Sequence, residues 1–88
     1  MALAYQGNAD KQIKIGGGKL YGVFISSTSS GTFALYDTAT ASTSDPKIVN
    51  TVTVTAGTQY VSFPAGLWFS NGLYIDVANT IEYTVAYE

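Results

Sequence analysis

The stretch Leu67-Trp68-Phe69-Ser70-Asn71-Gly72-Leu73-Tyr74-Ile75-Asp76-Val77 decides how the chain is read. Two apolar, alternating runs meet at Asn71-Gly72, the residue pair best able to take positive φ at a tight turn, and the pattern predicts a β-hairpin. A two-residue loop would put Trp68, Leu73, Ile75 and Val77 on one face and Leu67, Phe69 and Tyr74 on the other, which wets too many apolar groups. A three-residue loop, Ser70-Asn71-Gly72, with Gly72 left-handed as a G1 bulge, gathers Leu67, Phe69, Leu73, Ile75 and Val77 on one side. Trp68 and Tyr74 then share the outer face with Ser70 and Asp76, because a one-residue slip exchanges every side chain. An outward Trp beside an outward Tyr calls for a partner surface.

Outward from this stretch, the chain reads as short strands punctuated by turns. Residues 1–10 lack a period, carry Leu3 and Tyr5 as large apolar groups, and are expected as an N-terminal arm, either a frayed terminus or an extended segment laid on a neighbouring subunit, ahead of a β-domain spanning 11–88. Lys11-Gln12-Ile13-Lys14-Ile15 alternates as a strand and stops at three glycines. Gly16-Gly17-Gly18-Lys19 invites a phosphate-loop reading, but the G-x-x-x-x-G-K-[ST] spacing is absent and no helical pattern follows. Residues 19–26 are apolar on both faces, Tyr21, Val23 and Ile25 against Leu20 and Phe24, as in a central or covered strand. The hydroxyl-rich run 27–31 predicts a turn into 32–37, with Phe33 and Leu35 inward and the two strands paired as a hairpin.

Residues 38–46 form the longest polar tract and are expected as an exposed loop. Residues 47–55 alternate Val52 and Val54 with threonines, Ala56-Gly57-Thr58 turns the chain, and 59–63 forms a strand with Val61 and Phe63 inward and Tyr60 outward, stopped by Pro64. Ala78-Asn79-Thr80 is read as the last turn, leading into 81–88 with Ile81, Tyr83, Val85 and Tyr87 on one face. About eight short strands with no helical period predict an all-β chain: a single antiparallel β-sandwich, jelly-roll-like.

Composition bounds the function. The 88 residues suit one domain that buries about 60–65% of its unfolded surface, so added contacts from an oligomer or a scaffold help stability. Only 11% of residues are charged against 47% hydrophobic, and Ser, Thr and Gly solvate the rest. A net charge of −2 with lysine as the only basic side chain argues against nucleic acid, which needs clustered cations. No apolar run reaches the ~20 residues of a membrane helix, and Met1-Ala2-Leu3-Ala4-Tyr5 lacks the basic start of a leader, so a soluble product made inside the cell is expected.

The chain has no His, Cys or Arg, which removes Ser–His and Cys–His pairs, imidazole and thiolate metal sites and guanidinium clamps. Asp10, Asp37, Asp45, Asp76, Glu82 and Glu88 are expected singly, as solvated charge, and 42–45 offers one carboxylate where calcium needs several oxygens. No catalytic residue, metal site or cofactor is expected, and the protein is read as no enzyme. Seven Tyr, four Phe and one Trp remain. Tyr83 and Tyr87 are assigned to packing, and Trp68, Tyr74, Tyr60 and Tyr36 to an outer interface.

Gly18-Lys19-Leu20-Tyr21-Gly22-Val23, Gly31-Thr32-Phe33-Ala34-Leu35-Tyr36-Asp37, Phe63-Pro64-Ala65-Gly66-Leu67 and Gly72-Leu73-Tyr74-Ile75 together resemble small β-sandwich structural proteins of tailed bacteriophages, over about residues 16–88. The resemblance implies a virion protein made in the host cytoplasm, either a capsid decoration (cement) protein or a small fibre or knob component. Its implied partner is the major capsid protein or another virion protein, with homo-oligomerisation. A second expectation, from a different class, is a carbohydrate-binding module in which Trp68 and Tyr74 form a sugar-stacking platform.

Overall fold

The computed structural model describes residues 3–40, 47–53 and 59–88. Its strands are β1 (Leu3–Gly7), β2 (Lys11–Ile15), β3 (Gly18–Tyr36), β4 (Lys47–Thr53), β5 (Gln59–Phe69) and β6 (Gly72–Tyr87). All pairings are antiparallel, and no helix occurs among the described residues. β3 has 19 residues; drawn straight it would reach about 60 Å at ~3.3 Å per residue. The longest dimension of the molecule is 32 Å. β3 and the 16-residue β6 therefore bend, and each serves two layers.

One layer runs β2-β6-β3-β4 and uses the first half of β6 with the second half of β3. The other runs β1-β6-β3-β5 and uses the remaining halves. The protein is a small β-sandwich of two four-stranded antiparallel sheets, as the strand pattern predicts, with the expected short strands present as segments of six longer ones. The runs 27–31 and 78–80, expected as turns, lie opposite each other: Ser29 pairs with Thr80 and Thr32 with Ala78, with an extra residue on β3 between them. Asn79 takes φ 64°, a conformation that Asn tolerates better than most side chains. Two turn signals in register thus bend a pair of strands from one layer to the other, as bulges do. The hairpin expected between 19–26 and 32–37 is replaced by one continuous strand, because both halves pair with β6.

The hairpin at Asn71-Gly72 is likewise corrected. β5 pairs with β3 in one layer while β6 starts in the other, so Ser70 and Asn71 form a corner between sheets. Positive φ among the described residues occurs at Gly16, Gly66 and Asn79, so Gly72 is not left-handed. Its lack of a side chain answers to space instead: a Cβ there would stand 2.4 Å from the carbonyl oxygen of Thr38 and 2.7 Å from that of Lys14. The inward assignments nevertheless hold. Phe69, Leu73 and Ile75 are fully buried, with Leu67 and Val77 packed against them, because both limbs of the corner look onto the same core.

That core joins Leu20, Val23, Ile25, Phe33 and Leu35 of β3 to Phe69 of β5 and to Leu73, Ile75, Ile81, Tyr83 and Val85 of β6. Burying each such aliphatic or Phe side chain contributes about 1.5–3 kcal/mol. Tyr83 brings a hydroxyl into this core and donates it to the carbonyl of Ala9, so the polar atom is satisfied. β5 does not stop at Pro64. A step of two residues on β3, from Leu20 to Gly22, is matched by five on β5, and the excess is a bulge around Pro64 with Gly66 at φ 80°. Residues 3–7, expected within a separate arm, form β1, which pairs along the end of β6. Most of the polar tract, 41–46, and the expected turn Ala56-Gly57-Thr58 lie outside the described residues.

Folding the long ribbon across its middle brings its two ends to one rim. There the Asp37 carboxylate accepts the backbone N–H groups of Ser70 (3.0 Å), Asn71 (2.7 Å) and Gly72 (3.3 Å). The amide of Gly16 donates to the carbonyl of Asn71, and the Gln12 side chain donates to the carbonyls of Lys14, Thr38 and Leu73. Lys14 Nζ reaches across to the carbonyl of Glu88 at 3.0 Å. The glycine run after β2 is therefore the crossing between sheets.

Candidate interaction surface

The outer face of the β1-β6-β3-β5 layer carries the exposed aromatic residues. Along β5 every second side chain points out, and the register sets Tyr60 opposite Phe24, Ser62 opposite Gly22 and Trp68 opposite Lys19. Trp68 is 73% exposed, Tyr60 58% and Phe24 41%. Lys19 Nζ lies 5.0 Å from the Trp68 ring centroid, a cation–π contact that braces the indole. The rings of Phe24 and Tyr60 meet at 6.3 Å in a tilted pair. Between the two groups the face is low, because Gly22 lies under the Tyr60 ring and its neighbours on β6 are Thr84 and Ala86. Phe24 stands five positions beyond Lys19 on β3, about 17 Å of strand.

Phe24 was not expected here. Residues 19–26 read as apolar on both faces, but a register slip after Leu20 turns Leu20, Val23 and Ile25 all inward and leaves Phe24 outside. Tyr21, at that slip, donates its hydroxyl to Glu88 Oε1 at 3.1 Å. This bond first, then burial and the nearby carboxylate, raise the phenol above its ordinary value.

Trp68 and Tyr74 are not brought together. They stand on opposite layers, since the corner at Ser70 and Asn71 separates β5 from the start of β6. Tyr74 and Tyr36 were expected outward and exposed; they are 8% and 6% exposed. Their rings pack at 6.3 Å with Ala34 beside them, Lys47 Nζ lies 5.7 Å from the Tyr36 centroid, and the Tyr74 hydroxyl reaches Asp10 at 3.4 Å. Neighbouring side chains cover both rings, so neither offers the area a partner needs. Tyr5 is half-buried against Tyr83, with ring centroids 6.3 Å apart, while Leu3 is exposed on β1.

The acidic residues do not all stand singly. Asp10 accepts the amide of Val77 at 2.8 Å and meets Asp76 in a carboxyl pair. Burial first, then the Asp10 charge and a hydrogen bond with it, push Asp76 above the usual carboxylate range, against the pull of Lys47. Burial and the same two carboxylates raise Tyr74. Asp37 behaves oppositely: burial acts to raise it, but the three amides of Ser70, Asn71 and Gly72 outweigh that and hold it low. The pair arises from the loop between β1 and β2, which sequence spacing alone does not place beside β6.

Among the described residues there is no cavity or cleft, so what this surface offers is a face and its edges. The fold and the site together define a small two-layer β-sandwich with an exposed aromatic sheet face. The chain matches no protein-family model, no curated protein and no solved structure.

Proposed function

We propose that this protein is a non-enzymatic structural protein of a phage virion, a capsid decoration protein that adheres through the outer face of its β1-β6-β3-β5 layer. The observation that carries the reading is Trp68: a large ring, 73% exposed, on a rigid sheet and braced by Lys19, with Tyr60 and Phe24 further along the same strands. Exposed Trp and Tyr on a preorganised surface are the side chains that dominate protein interfaces, since they bury much area for little lost conformational freedom. Scarce charge makes such a face cheap to desolvate. The resemblance in strand pattern and glycine placement supplies the partner class, a capsid or other virion protein.

The test is Trp68→Ala. Trp68 is absent from the core, so the variant folds, losing about 1 kcal/mol or less with the cation–π contact. Truncating a central interface aromatic costs about 2 kcal/mol or more, so affinity for particles falls about thirtyfold. Occupancy is measured by quantifying bound protein on purified capsids. Undiminished occupancy excludes Trp68 from the contact. Binding to immobilised glycans that disappears in the same variant moves the assignment to a carbohydrate-binding module.

A further inference from the structure

A sandwich has four edges, and here three are guarded. β2 carries Lys11 and Lys14 and a register slip between Gln12 and Lys14. β4 has Lys47 and two slips against β3. β5 is broken by the bulge around Pro64. Charges, prolines and bulges on edges are the devices that stop a sheet from adding a foreign strand. β1 has no charge, proline or bulge of its own, and the cation nearest it is Lys11 of β2, whose Nζ lies 5.7 Å from the Tyr5 ring centroid. Leu3-Ala4-Tyr5-Gln6-Gly7 holds no charge and no proline, pairs with β6 in five consecutive registered positions, and has no strand on its other side among the described residues.

We propose that β1 pairs with β1 of a second copy of this chain, antiparallel across a two-fold axis, joining the two β1-β6-β3-β5 layers into one eight-stranded sheet. The occupant follows from symmetry and from the guarding of the other edges. An antiparallel edge is self-complementary, because each strand offers the same alternation of donors and acceptors that its copy needs, and the five residues of β1 bring no charge of their own to the seam. One open edge per molecule closes as a dimer, whereas two would propagate as a fibre. The two-fold axis perpendicular to the sheet keeps each side chain on its own face, so a residue opposes one of the same parity. Overlap of the strand is greatest when Tyr5 faces Tyr5 of the copy, which sets Ala4 opposite Gln6 and Leu3 opposite Gly7. Ala4 and Gln6 are exposed on the outer face, as are Trp68 and Tyr60. The dimer therefore presents both aromatic faces on the same side, as a bivalent surface.

This extends the adhesive reading, but its test needs no particle: the solution mass of the purified full chain is measured by sedimentation velocity over a range of concentrations. Expected is a concentration-dependent species of twice the 9.3 kDa chain. The double variant Ala4→Lys/Gln6→Lys places like charges opposite each other and weakens the dimer about tenfold. Ala4→Lys/Gln6→Glu places opposite charges there and restores it. A wild-type monomer at every concentration, open-ended polymers, a dimer indifferent to the lysine pair, or no recovery with the Lys/Glu pair each overturns the proposal. Loss of capsid occupancy in Trp68→Ala with the dimer intact bears on the adhesive face alone.

Discussion

Gly72 and Asp37 meet at the rim, and each is explained by what surrounds it. The sequence around Asn71 suggests a glycine needed for positive φ; the structure instead has a glycine needed for room, with two carbonyl oxygens where a Cβ would go. Gly72→Val forces the rim apart, and a loss of about 3 kcal/mol is expected, read as a lower urea midpoint. Asp37 joins the end of β3 to the corner by accepting three amides. Its pKa is held below the unfolded value, so the stabilisation is present above the unfolded carboxylate pKa and is lost as pH falls through the folded one. Asp37→Ala should lower stability at pH 7 by about 2 kcal/mol. The difference from wild type should shrink below about pH 4, where unfolded carboxyls protonate. Denaturation midpoints measured from pH 7 to pH 3 check both the size and the sign.

The paired bends in β3 and β6 turn a flat ribbon into a sandwich. Polar residues and Asn79 interrupt two long apolar patterns at points that face each other in register, so one break in each strand produces a single fold line. Asn79 at φ 64° is the residue that fits this bend in β6. Asn79→Gly should be tolerated within about 0.5 kcal/mol, because glycine adopts this region freely. Asn79→Val places a β-branched side chain there and should cost about 1–2 kcal/mol. Thermal or chemical denaturation of the two variants side by side separates a backbone effect from loss of the side chain.

At the scale of the whole molecule, the two outer faces have different characters. The β2-β6-β3-β4 layer closes its tyrosines in with Lys47, Asp10 and Ala34, while the β1-β6-β3-β5 layer leaves Trp68, Tyr60 and Phe24 to solvent. Adhesion through one face and pairing through the edge of the same layer are compatible, since the edge meets its copy in the plane of the sheet and the aromatic rings project from it. In the proposed dimer, two coplanar faces would bind a repetitive lattice with an avidity that neither has alone. The Trp68→Ala occupancy measurement should therefore show a larger loss on intact particles than on isolated capsid subunits.

Period-two alternation was legible in the sequence, and with it the strands, the β-sandwich class and nearly every inward residue: Phe33, Leu35, Phe69, Leu73, Ile75, Ile81, Tyr83 and Val85 all reach the core. The outward placement of Trp68 and Tyr60 was legible for the same reason, because alternation is a property of the local backbone and survives whatever the strand later pairs with. Pairing is a different matter. A turn signal marks where the chain leaves a straight line, and a hairpin, a corner and a bend all use Gly, Asn and Ser. Which one forms depends on whether the flanking runs find their hydrogen bonds in each other or in a third strand. Here β6 and β3 took each other as partners along nearly their whole length, and that long-range choice converted expected turns into bends, sent Tyr74 to the layer opposite Trp68, and placed the unguarded β1 at the edge of the aromatic sheet.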